Sequence, residues 1–159
     1  MAHARKSRGP RPSSIARVPG IDYGGLEEHL GYLLRRAQLA GFEAFHRASA
    51  DLDITPPRYT TLVIVGANPG LTQTALGAVL GTARSGAKML ADWLEARNFA
   101  ERRRRNGDGR AWGLYLTARG QALVADLRRR VRAEDGAFAA RLAPRERASL
   151  RKLLNKLAR

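Results

Sequence analysis

Apolar residues recur at three- and four-residue intervals from Leu26 to about Ala50, through Leu30, Leu33, Leu34, Ala37, Phe42 and Phe45. That spacing predicts one amphipathic helix. Thr55-Pro56-Pro57 reads as the start of a second helix: Thr55 suits an N-cap, and Pro56 fits a first turn whose N–H groups have no helical partner. This helix is expected to end near Val65 or Gly66, before the breaker Asn68-Pro69-Gly70. Thr72 is placed to cap a short helix over Gln73 to Leu80. After a tight Gly81-Thr82 turn, Thr82 is expected to cap a further helix reaching about Arg97. On that helix Ala83, Ala87, Leu90 and Leu94 share one face, opposite Ser85, Lys88, Met89 and Asp92, with Arg84 beside the first turn.

The period then changes. Phe99 to Arg103 and Gly113 to Leu116 read as the arms of a hairpin, turned by Asn106-Gly107-Asp108-Gly109. Thr117 is the expected cap of a long basic helix running to about Ala140, with Leu123, Leu127 and Val131 as its apolar stripe. Pro144 opens the last helix, on which Leu150, Leu153, Leu154 and Leu157 form one face. The predicted class is therefore mainly α with a small β-hairpin. A helix, a short Gly-containing turn and a second helix with a polar outer face can present that helix to a DNA major groove, and the hairpin follows it as a wing. The terminal helices carry apolar stripes that a second copy of the chain would cover, although packing inside one chain is the alternative. Three regions follow: a basic arm over 1–25, helical dimerisation segments over 26–50 and 118–159, and a winged helix-turn-helix lobe over 51–117.

Charge strengthens this picture. The 159 residues carry 29 Lys and Arg against 14 Asp and Glu, a net charge of +15. Such a surplus favours a polyanionic partner, because cationic side chains release the counterions condensed on phosphates. Base composition of the coding genome could account for the preference of Arg over Lys, but it leaves the net charge in place. Arg102 to Arg105 form an unbroken run on the hairpin, with Arg110 beyond the turn. A solvated loop is the ordinary meaning of such a run; directly after a helix-turn-helix, DNA contact is the stronger reading. The first 25 residues hold Arg5, Lys6, Arg8, Arg11 and Arg17, three prolines, and no acid before Asp22. They read as an unstructured terminus or as an arm that follows the DNA backbone. Pro10, Pro12 and Pro19 argue against an amphipathic transit peptide.

From Leu71 onward the motifs fall in an order that resembles the MarR family. Leu71-Thr72 opens the first motif helix, Leu94-Glu95 closes the second, and Glu101-Arg102 begins the wing. Asp108-x-Arg110 stands at the wing tip, Leu116-Thr117-x-x-Gly120 starts the next helix, and the C-terminal LAPRERASLRKLLNKL is also similar. One position departs: Asn98 stands where the family usually has Gly, and Asn is among the residues that best tolerate a left-handed backbone. The resemblance implies a two-fold dimer with a helical base and two DNA-binding lobes. It also implies a palindromic operator and a repressor released by a small aromatic acid or acyl-CoA-like ligand. It places Arg84, Ser85 and Lys88 at base edges and phosphates, with Thr72, Gln73, Thr82 and Met89 completing the helix-turn-helix surface. Arg102, Arg103, Arg104 and Arg105 would lie on the backbone, Arg110 in the minor groove, and Asp108 would hold the wing and orient Arg110. The ligand pocket is expected between base and lobe, lined by the first, second and fifth helices. Tyr32, Arg36 and Tyr59 are its candidate residues, with a Tyr-Arg packing pair as the alternative reading.

Other chemistry finds little support. With no cysteine, disulfides, thiolate nucleophiles and Cys-based zinc sites are excluded. His29 and His46 lie seventeen residues apart on the predicted first helix, about 25 Å along its axis, too far to share a metal within one chain. No nucleophile triad, paired carboxylates or phosphate-binding glycine motif stands out, so neither an enzyme nor a cofactor is expected. No apolar run is long enough for a membrane span, and no signal-peptide stretch is seen, so a cytoplasmic, nucleoid-associated protein is expected. A ligand-blind architectural DNA-binding protein is the alternative function, since Gly86 and Ala83 leave the recognition helix lean in base-reading side chains. An RNA-binding protein is a third reading, weakened by an aromatic content of 6% that leaves little stacking surface.

Overall fold

A computed structural model describes residues 17–105 and 108–158, without the side chains at 105 and 108–111. Most of the basic arm, the Asn106-Gly107 turn and the side chains of Arg105, Asp108 and Arg110 thus lie outside the described residues. The order is α1 (Leu30–Ala48), α2 (Pro56–Ala67), α3 (Gln73–Leu80), α4 (Arg84–Ala96), β1 (Ala100–Arg105), β2 (Asp108–Leu116), α5 (Ala118–Phe138) and α6 (Pro144–Leu157).

The first helix begins later than its apolar spacing predicts. Leu26–Glu28 form a single 3-10 turn, and His29 is extended (φ −88°, ψ 121°) before α1 starts. The left-handed pair Gly24 and Gly25 (φ 57° and 79°) sets up that separate turn. His29 is therefore the residue preceding α1 and not part of one helix with His46. At α2 Thr55 occupies the N-cap position, but its hydroxyl caps nothing. Pro56 and Pro57 fill the first two helical positions, whose N–H groups have no intrahelical partner to lose. At α4 the N-cap is Ala83, not Thr82. Gly81 is left-handed and the Thr82 N–H returns to the Gly77 carbonyl (3.0 Å), so both residues belong to the close of α3. Ala83 is consequently exposed, and the buried face of α4 is Ala87, Ala91 and Leu94.

Two hydroxyl caps form as predicted. Thr72 Oγ1 accepts from the Ala75 N–H (3.2 Å), and Thr117 Oγ1 accepts from the Gly120 N–H (3.1 Å). The strands run further toward the turn than the hydrophobic pattern indicates. They pair antiparallel from Ala100↔Leu116 through Arg104↔Trp112, with an irregularity before Arg105↔Asp108. Leu71 adds a bridge to Leu114, tying the start of the α3 segment to the wing.

Leu62, Val65, Leu76, Ala87, Ala91, Leu94 and Leu127 have no exposed surface, and Leu114 is 2% exposed. Each buried leucine contributes about 1.5–3 kcal/mol, enough to fix α4 and the wing on a common base. Phe45 from α1 and Val124 and Leu127 from α5 join this core, and α1 lies along α5. By contrast α6 buries no residue in the single chain, and Leu153 and Leu157 are 57% and 62% exposed. Leu30 on α1 is 65% exposed.

Candidate nucleic-acid interface

The α3–α4 pair displays one polar face. Arg84, Ser85, Lys88 and Met89 are all exposed on α4, and Thr82 is exposed just before it. Thr72 and Gln73, half-buried, stand at the start of α3, and Gln73 Nε2 donates to the Arg84 carbonyl (3.4 Å). That bond links the first turns of the two helices. The expected helix-turn-helix residues are thus brought onto neighbouring surface, with backbone N–H groups of the first α4 turn beside them, a disposition suited to phosphate.

The arginine run divides into different environments. Arg102 is turned onto α4, where its guanidinium donates to Asp92 Oδ1 (2.9 Å) and to the Glu95 carboxylate. Asp92 also holds Lys88 (Nζ to Oδ2, 2.5 Å), and its carboxyl is kept below the usual range by Lys88 first and Arg102 second. Wing and recognition helix are therefore joined by one charge network. Arg102 acts within it as a strut, whereas the sequence reading places it on the DNA backbone. Arg103 donates to the Glu101 carboxylate, which holds that carboxyl low, and lies over the Tyr115 ring (5.5 Å). Arg104 is exposed and lies over Trp112, itself 53% exposed (5.4 Å).

The wing is anchored where it leaves and rejoins the helices. Asn98 adopts φ 55°, the left-handed geometry anticipated there. Thr117 Oγ1 donates to the Asn98 carbonyl (2.7 Å), and the Thr117 N–H donates to the Phe99 carbonyl (3.0 Å). Gly113 lies so close to Gly70 that a Cβ would meet its carbonyl oxygen at 2.6 Å. A side chain there would push the wing off the lobe.

Tyr32, Arg36 and Tyr59 each make local contacts on α1 and α2. Arg36 pairs with Glu27 (3.3 Å) and lies over the Tyr32 ring (5.9 Å). Tyr59 packs its ring on Phe45 (5.5 Å), and burial raises its phenol, partly offset by Arg128. A groove of about 560 Å³ runs between Phe42 of α1, Pro56, Pro57 and Thr60 of α2, and Val79, Leu80, Thr82 and Leu90 of the helix-turn-helix. Neither Tyr32, Arg36 nor Tyr59 lines it, and α5 contributes no residue to it. Its apolar wall suits an aromatic or acyl body. Phe42 looks from sequence like one more stripe residue, and only the fold shows that α1 has turned it away from the core.

Among the described residues no group of three or more His, Asp or Glu side chains could hold a metal ion, and no helix is long and apolar enough to cross a membrane.

Comparison with known proteins agrees with this geometry. The family model of the MarR family matches residues 52–111. A transcriptional regulatory protein assigned to the hcr operon of Thauera aromatica is 34% identical over 157 residues, covering 98% of this chain and 93% of the relative. The transcriptional repressor CouR, solved bound to a 23-mer DNA duplex, is 34% identical with a TM-score of 0.81, covering 87% of this chain and 99% of CouR. CouR bound to p-coumaroyl-CoA superposes with a TM-score of 0.80 at 34% identity, covering 87% and 98% of the two chains.

Proposed function

The chain belongs to the MarR family of transcriptional regulators, and from that premise we propose that it is a homodimeric repressor whose grip on a palindromic operator is released by an aromatic acid or its acyl-CoA thioester. The observation that carries this reading is the shared surface of α4 and the wing. Arg84, Ser85, Lys88 and Met89 project from a helix fixed by Ala87, Ala91 and Leu94, and the Arg102 strut holds the arginine-bearing hairpin at its side. On a duplex, α4 enters the major groove and the wing follows the adjacent backbone, with Arg110 at the minor groove. Arg102 then orders the wing, and Arg103 to Arg105 supply phosphate contacts.

Dimerisation is supported by the exposed apolar faces of α6 and the start of α1, which a second copy would cover. The dimer base then comprises the terminal helices and the lobe spans roughly residues 51–117. In a cell this protein works on the chromosome, in the cytoplasm.

The groove supports the ligand half of the reading. It touches α2, the α3–α4 turn and Leu90 together, so a body seated there moves the recognition helix relative to the base. Fluorescence anisotropy with a duplex from the region upstream of the protein's own gene tests the proposal. p-Coumaroyl-CoA and free aromatic acids are titrated into the preformed complex. Release at saturating ligand, lost on Val79→Glu at the groove, is the expected result. DNA affinity unmoved by every member of the panel contradicts the ligand-responsive reading and favours an architectural role.

A further inference from the structure

A second cavity, sharing no lining residue with the groove, sits where the α1–α2 loop, the C-terminal half of α4 and the first turns of α5 meet. Its volume is about 140 Å³, close to the roughly 150 Å³ of an engineered apolar cavity that admits benzene. Leu52, Ile54 and Leu123 supply apolar surface, and the Trp93 and Phe99 rings, 5.8 Å apart at 43°, supply aromatic walls. The Trp93 indole N–H is buried and has no hydrogen-bond partner.

The charged groups around it are unbalanced. Asp53 alone is shared by Arg58 (2.7 Å) and Arg97 (2.6 Å). Both guanidinium carbons stand over the Trp93 ring, at 4.3 and 4.4 Å, which holds the indole in place. Arg119 lines the same cavity and lies over Phe99 at 5.1 Å. Arg97 and Arg119 thus line the cavity with one carboxylate, Asp53, which Arg58 also engages from outside the lining, leaving guanidinium charge in excess beside an apolar, ring-sized space.

We infer that this cavity binds a small planar aromatic carboxylate at a site distinct from the groove. The ring occupies the space bounded by Trp93 and Phe99, and the carboxylate meets Arg97 and Arg119 at the mouth. A guanidinium fork matches a carboxylate in two parallel hydrogen bonds, and the surplus charge favours an anion over its neutral amide. The site touches α4, the residue just before β1 and the start of α5, so its occupant contacts the recognition helix and both ends of the wing's anchorage.

The test uses benzoate as probe and the full chain carrying Trp112→Phe, which leaves Trp93 as the single indole. Benzoate should shift the indole N–H resonance and change the fluorescence saturably. Benzamide and inorganic phosphate should bind at least about tenfold more weakly, since one lacks the charge and the other the ring. Arg119→Gln, at an exposed position, should weaken benzoate by a similar factor, Leu123→Phe should block it by filling the cavity, and Val79→Glu in the groove should leave it unchanged. Circular dichroism confirms that each variant is folded. No saturable response, an equal response to benzamide, or loss of the response in Val79→Glu with retention in Arg119→Gln overturns the assignment. Because the readout needs no DNA, failure here is separable from failure of the repressor reading.

Discussion

Gly120→Ala measures how tightly the wing is closed onto the lobe. Gly120 is buried in the first turn of α5, where a Cβ would stand 1.9 Å from the Phe99 carbonyl oxygen and 2.9 Å from its carbon. Ordinary contact begins near 3.4 Å, so helix and strand must part by about 1.5 Å. Neither neighbouring atom is a flexible side-chain end. The same carbonyl accepts the Thr117 N–H, while Thr117 Oγ1 joins Asn98 to Gly120. Parting these groups loses about 1 kcal/mol for each of two hydrogen bonds and about 1 kcal/mol for the helix cap. Alanine's better helix propensity returns at most about 1 kcal/mol, leaving a net loss of about 2 kcal/mol. Urea denaturation at fixed protein concentration reads this directly, and anisotropy should show weaker DNA binding from the displaced wing. A variant within about 0.5 kcal/mol of the parent, with unchanged DNA affinity, refutes the reasoning.

Asp92→Asn should release Lys88 and Arg102 together, steepening the salt dependence of non-specific DNA binding by about 0.9 for each phosphate gained while loosening the wing in hydrogen exchange. In the parent chain the Asp92 carboxyl is lowered, so its contribution is present above the ordinary aspartate range and is lost as pH falls through the folded value. Carbon-detected NMR titration should place Asp92 below that range, and Arg102→Gln should move it back up. Asn98→Gly should stabilise the fold by about 0.5 kcal/mol, because φ 55° is strained for a residue with a Cβ and the hydrogen bond made there uses only the backbone carbonyl. Asn98→Ala should instead lose about 1 kcal/mol in the same denaturation experiment.

The elements with a strong periodic face were legible from sequence: α3 has the bounds its pattern predicts, and Thr72 and Thr117 cap as their positions suggest. What escaped was decided by groups that periodicity does not weigh. An extended His29 set the Leu26–Glu28 turn apart from the first helix, the Thr55 hydroxyl made no cap, and the closing bond of α3 took Thr82 from α4. The charged ends of the hairpin carry no hydrophobic alternation, so the strands looked shorter than they are. In the interface, composition revealed the arginines but not their partners. The turn of Arg102 onto Asp92 and Glu95 depends on the approach of β1 to α4, which is a tertiary fact. The same holds for the groove, because Phe42 and Val79 come to line one space only when α1, α2 and α3 are assembled.

The most direct test of the repressor account is binding to the duplex upstream of the protein's own gene, in about 150 mM salt and with excess random duplex present. The account predicts tight binding that survives the competitor. If each half-site engages about four phosphates, log affinity should fall against log salt with a slope of about −7. Affinity equal to that for random DNA, or a nearly flat salt dependence, would contradict it.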